Sequence, residues 1–228
     1  MTTIRTADDI KVLVACETSG TVRDAFYWAG FDAWSCDILP SDTQTNRHMQ
    51  LDVREALKAD QWDLLVVAHP PCTRLCNSGV RWLHKAPPNR TLASMWQELD
   101  DGCELFSDCL NADVPLIAVE NPVMHKYAKE RIRGFYPHTQ SVQPWEFAQS
   151  ISDEDNQKKR TCLWLKNLPS LQRTGTLTAA TARDDIHKAP PSADRWKIRS
   201  KFHKGIAQAM ADQWGAAALQ HLNSNQAA

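Results

Sequence analysis

The sequence predicts one doubly wound α/β domain, and three observations carry that reading. Short apolar runs alternate with helix-like stretches; each run is stopped by polar or proline-containing residues; and no Gly/Ser-rich linker, internal repeat or low-complexity block divides the chain. With 228 residues, 43% of them hydrophobic, the chain can bury a full core. The expected boundaries are residues 1–222 for the domain and 223–228 for a frayed tail.

Lys11 to Cys16 (KVLVAC) reads as a buried strand, turned by Glu17-Thr18-Ser19-Gly20 into a helix over Thr21 to Ala29 that stops at Gly30. Phe31 to Cys36 returns as a second strand closed by Asp37. Asp63 to Ala68 is a third, ended by His69-Pro70-Pro71, and Pro115 to Val119 a fourth, stopped by Glu120-Asn121-Pro122. Leu92 to Leu110 has the apolar spacing of a helix and the length of a crossover between parallel strands. Beyond Pro122, strands are expected at Thr139 to Val142 and Arg160 to Leu165, and a helix at Gly205 to Leu222. In such sheets ligands bind at the carboxyl ends of the strands. The polar residues that stop the four runs therefore share one edge.

A net charge of −1 leaves no global footprint for a polyanion, so phosphate would have to be held locally. Two basic segments could do so: Lys158-Lys159-Arg160, and Arg195, Lys197, Arg199 and Lys201 with Trp196 and Phe202 interleaved. No apolar run is long enough for a membrane span, and the polar start MTTIRTADD lacks the apolar core of an export signal. The expectation is a cytoplasmic protein whose seven cysteines are reduced.

The first turn holds one glycine and no G-x-G-x-x-G, which disfavours a dinucleotide and suits a cofactor without phosphates. Asp37 is placed to accept ribose hydroxyls. Pro70-Pro71 fixes the backbone and turns Cys72 out at the strand edge, whereas Cys16, Cys36, Cys103, Cys109 and Cys162 read as small buried hydrophobes. Cys72 and Cys76 near His69 and His84 lack a second closely spaced pair, so no metal site is expected. Glu120 ends an apolar strand, where burial raises a carboxyl pKa and suits it to proton donation. A thiol and an acid on neighbouring strand ends form a nucleophile and acid pair.

This series resembles the DNA cytosine-C5 methyltransferases, whose motifs occur in the same order: Glu17 to Gly20, Asp37, Leu51-Asp52-Val53, Pro70-Pro71-Cys72, Glu120-Asn121-Pro122, Gln157-Lys158-Lys159-Arg160 and the closing stretch Lys204 to Ala211. The resemblance implies a Rossmann-like domain of a compact, phage-like member. It implies an S-adenosylmethionine pocket from Glu17, Thr18, Ser19, Gly20, Asp37, Asp52 and Pro70, with Asp37 at the ribose and Asp52 at the adenine amine. Cys72 would add to C6 of cytosine, Glu120 engage N3 and Arg160 hold O2, all three meeting in one cleft. Thr73 stands where the family has Gln, Pro122 where it has Val, and the stretch between Arg160 and Gly205 leaves little room for a target-recognition region. The expected partner is therefore DNA as a single strand or extruded base, with Arg195, Lys197, Arg199 and Lys201 on its phosphates. The alternatives are the same chemistry on a free cytosine nucleotide, and a non-catalytic nucleic-acid-binding relic of the fold.

Overall fold

A computed structural model describes residues 4–188 and 202–226. Seven strands form one sheet in the order β3-β2-β1-β4-β5-β7-β6. They are β1 (Lys11–Ala15), β2 (Asp32–Asp37), β3 (His48–Gln50), β4 (Leu64–Val67), β5 (Leu116–Asn121), β6 (Gln140–Val142) and β7 (Thr161–Lys166). The pairings β3-β2, β2-β1, β1-β4 and β4-β5 are parallel, while β7 runs antiparallel to both β5 and β6. This is the Rossmann-like, doubly wound, mostly parallel sheet that the sequence predicts.

Alternation of side chains along the strands divides the interior into two cores. Val12, Val14, Leu116 and Ala118 face α1 (Thr21–Trp28) and the last helix, here α6 (Lys204–Gln226). Leu13, Ala15, Ile117 and Val119 face α2 (Val53–Ala59), α3 (Leu92–Leu110) and α4 (Lys126–Arg131). A further short helix, α5, covers Asp185–Lys188. Local chemistry starts the helices where they begin. The Asp52 carboxylate accepts from Arg54 N at 2.8 Å to open α2, and Thr91 Oγ1 accepts from Ser94 N at 3.0 Å to open α3.

Two expectations are corrected. The tail from 223 is helical to Gln226, because Asn223 is tied to the first described segment: Arg5 N donates to Asn223 Oδ1 at 2.8 Å, and Asn223 Nδ2 donates to Arg5 O at 3.1 Å. The edge strand β3 and helices α2 and α4 were not anticipated, since none is more than seven residues long. The basic positions Arg195, Lys197, Arg199 and Lys201 lie outside the described residues. Among the described residues, no helix is long and apolar enough to cross a membrane.

Trp214 on α6 is fully buried, and its indole N–H donates to Pro169 O at 2.9 Å. Trp214→Ala removes a large side chain from the first core and leaves that carbonyl unpaired. It should cost about 3–5 kcal/mol in chemical denaturation.

Candidate active site

The turn after β1 is held from inside. Cys16 adopts a left-handed conformation with φ 56°, which swings Glu17 beneath the start of α1. The fully buried Glu17 carboxylate accepts from Val22 N at 2.7 Å, Arg23 N at 3.1 Å and the Ser19 hydroxyl at 3.2 Å. Burial raises its pKa while these donors pull it down. Glu17 thus serves as an internal cap for a helix whose N-cap, Gly20, has no side chain. Gly20 has φ 73°, and a Cβ there would stand 2.2 Å from the buried Arg23 guanidinium. Thr18 is engaged by the segment after β2, donating from Oγ1 to Asp42 Oδ2 at 2.8 Å and accepting Asp42 N at its carbonyl at 2.8 Å.

At the end of β2, Asp37 is half-buried; desolvation pushes its carboxyl up, and Leu39 N donates to it at 2.9 Å. Asp52, half-buried, caps α2. Three apolar side chains adjoin these two acids and remain exposed: Ile38, Leu39 and Leu51. Sequence reasoning passed over them, although an Ile-Leu pair straight after a strand-ending acid is an unusual way to begin a loop.

After β4 the chain passes the buried Pro70 and folds residues 72–79 into a tight loop. Leu75 N and Cys76 N both donate to Cys72 O, at 3.1 and 3.0 Å. The loop is fastened to the segment after β5 by Asn77 N to Val123 O at 3.1 Å and His125 N to Leu75 O at 3.1 Å, with the His125 ring 2.5 Å from Arg74 O. A Cβ at Gly79 would stand 1.8 Å from Thr73 O, so only glycine closes this loop. Cys72 is half-buried and Cys76 buried, one helical turn apart and hydrogen-bonded to each other. The Cys72 thiol, with help from Ser78 and the N–H of Gly79, draws the Cys76 thiol down to about 5 against its burial. Cys72 moves the other way: the same hydrogen bond and burial push it up, and the Glu120 charge adds to the rise. The two sulfurs therefore titrate as a pair, the shared proton drawing Cys76 down and Cys72 up. The turn-of-helix spacing of the two cysteines was the signal for that partnership.

Glu120 follows Leu116 and Ala118 onto the α1 and α6 face. Burial pushes its carboxyl up to about 7 while Lys159 pulls it down, and Thr161 Oγ1 donates to Oε1. A small cavity here is lined by His69, Glu120, Lys159, Thr161, Phe202 and His203. Lys159, rather than Arg160, is the cation at this cavity: Arg160 is exposed. Strand alternation just before β7 turns one of the two toward Glu120 and the other to solvent. Cys72, Glu120 and His69 all lie in the field of Lys159. Burial pushes the His69 imidazole down to about 3. Among the described residues, no group of three or more His, Cys, Asp or Glu is arranged to hold a metal ion.

No family model matches the chain. No curated protein matches it either. Among solved structures it is similar to a protein of E. coli provisionally named a DNA modification methyltransferase encoded within a prophage, with a TM-score of 0.40 and 16% identity over 68% of this chain and 46% of that one. The chain thus spans about half of that protein's length. So remote a likeness decides nothing about activity, and the function is argued from the residues themselves.

Glu120 supplies a pH signature. Its carboxyl is raised in the folded protein above its value in the unfolded chain, so its contribution to stability is fully present below the ordinary carboxyl range and is lost as pH rises through about 7. The neutral isostere in Glu120→Gln should therefore raise the melting temperature at about pH 8 and leave it near wild type at about pH 4. A difference between the two proteins that stays constant with pH would overturn the assignment.

Proposed function

We propose that the chain is an S-adenosylmethionine-dependent methyltransferase that acts on C5 of cytosine through a covalent Cys72 adduct, in DNA offered as a single strand or an extruded base. The observation that carries this reading is a buried Glu120 carboxyl, beside Lys159 in its cavity, close enough to the Cys72 thiol for its charge to help push that thiol up. A carboxyl that keeps its proton up to about 7 can donate to N3 of a cytosine ring. That hydrogen bond draws electrons from C6, where the Cys72 sulfur adds. Cys76 lies within hydrogen-bond reach to take up the Cys72 proton as the C–S bond forms. We assign the O2 edge of the ring to Lys159 in place of Arg160.

The residues fit the adenosyl half of the cofactor. Half-buried Asp37 matches ribose hydroxyls, and exposed Ile38 and Leu51 beside it match a flat aromatic base. When bound, the cofactor supplies an electrophilic methyl group on a sulfonium. In this reading the backbone of Ser19 and Gly20 lines the pocket, while Glu17 supports it from beneath and Pro70 sets the wall between cofactor and thiol.

The test is incubation with radiolabelled S-adenosylmethionine and, separately, a single-stranded oligonucleotide, its duplex and dCMP. Label should enter the single strand most, and Cys72→Ala should fall to background while S-adenosylhomocysteine still binds in calorimetry. Label confined to dCMP would move the same chemistry to a free nucleotide. Cofactor binding with no transfer to any of the three would leave a non-catalytic binding protein. In the same calorimeter, Asp37→Ala should weaken S-adenosylhomocysteine by about 1–3 kcal/mol through loss of a charge-assisted hydrogen bond.

A further inference from the structure

Addition of a thiol to C6 and of a methyl group to C5 leaves C5 carrying a proton that must be removed before the thiolate can depart. Cys72 is bonded to the ring at that stage, and Glu120 is occupied at N3. The cavity wall contributes one further group with the right chemistry, His203, which is backed by Asp155. His203 Nδ1 lies 2.9 Å from Asp155 Oδ1, and the other oxygen of that carboxylate accepts Gly205 N at 2.6 Å. With Nδ1–H donating to Asp155, Nε2 carries a lone pair. Nε2 is buried, has no hydrogen-bond partner among the described residues, and belongs to a side chain that lines the cavity together with Glu120.

We infer that His203 is the general base that takes the C5 proton, and that Asp155 is its positioning residue. The inference rests on the cytosine-C5 reading above. The His203 Nε2 lone pair bonds the proton; the C5–H electron pair becomes the C5=C6 double bond; and the C6–S bond breaks with its electrons returning to Cys72. No oxidant or reductant is involved. Asp155 stabilises the resulting imidazolium from the start of α6, where the helix dipole favours a negative charge.

The other imidazole at the cavity is unsuited to the task. Among the described residues no carboxylate is hydrogen-bonded to the His69 ring; burial, Lys159 and His203 all oppose a positive charge there. It remains a neutral wall, stacked edge-on against Phe202 with ring centroids 5.3 Å apart. His203 also lines a second cavity, of about 220 Å³, bordered by Glu154, Asp185 and Lys204. The ring therefore separates the base pocket from a polar chamber through which an accepted proton can leave.

The experiment uses the full chain and two single-stranded oligonucleotides, one with cytosine and one with 5-fluorocytosine at the target. Fluorine at C5 cannot be removed by a base, so the fluorinated strand traps the methylated covalent adduct without needing His203. His203→Gln should trap it as well as wild type, yet turn over ordinary cytosine roughly 100- to 10,000-fold more slowly, with the methylated adduct accumulating. Asp155→Asn should show the same split less severely, and added imidazole should restore turnover to His203→Ala. Wild-type turnover in His203→Gln would overturn the inference, as would loss of trapping by that variant, which would make His203 a residue of binding or folding. A wild-type protein that traps no fluorinated strand would overturn the underlying cytosine-C5 reading instead.

Discussion

The reversal of one strand governs the site. Parallel strands β1, β4 and β5 bring their carboxyl ends to a common edge, whereas β7, antiparallel to β5, begins where they finish. The residues leading into β7 therefore arrive at the same edge as those leaving β5. Registration of Glu120 with Leu163 and of Asn121 with Cys162 sets Thr161 within hydrogen-bond reach of the Glu120 carboxyl and carries Lys159 and the Asp155 segment over the cavity. Without that reversal Glu120 would lose the Thr161 hydrogen bond and the Lys159 charge beside it. Parallel pairing brings His69 to the acid at the end of β5, and the antiparallel β7 adds the cation and the hydroxyl.

Low polarity gives these few groups their reach. The carboxyl of Glu120 and the thiols of Cys72 and Cys76 interact strongly because little water screens them. The two cysteines are covalently one turn apart in a loop that cannot relax, since Gly79 already touches Thr73 and both ends are fastened to residues after β5. Ionisation of one sulfur thus depends on the proton of the other. Electrostatic and steric constraints meet in the same short stretch of chain.

The strands were legible because each is an apolar run with an abrupt polar stop, as in DLLVVA before His69 and PLIAV before Glu120. Helix α3 was legible from end to end because its apolar spacing continues over five turns. The edge strand at His48–Gln50 carries no apolar run and could not be read. At the site, the order of motifs pointed to Cys72 and Glu120, but which of Lys159 and Arg160 faces inward depends on where β7 begins, and a shift of one residue exchanges them. Glu17 looked like a ligand and is occupied by backbone N–H groups of α1. His203 gave no signal, since its partner Asp155 lies far away in sequence.

The core that faces α1 and α6 unites the first strand with the last helix. Val12 and Val14 of β1 pack in one cluster with Ile206, Met210 and Trp214. The opposite core is completed by α2, α3 and α4, all drawn from the first 131 residues. During synthesis most of that half can form once β7 has added Cys162 and Trp164 to it, but β1 must present an uncovered apolar face until α6 has left the ribosome. The growing chain is thus most exposed to aggregation, and to capture by chaperones, in the interval before residues 204–226 emerge.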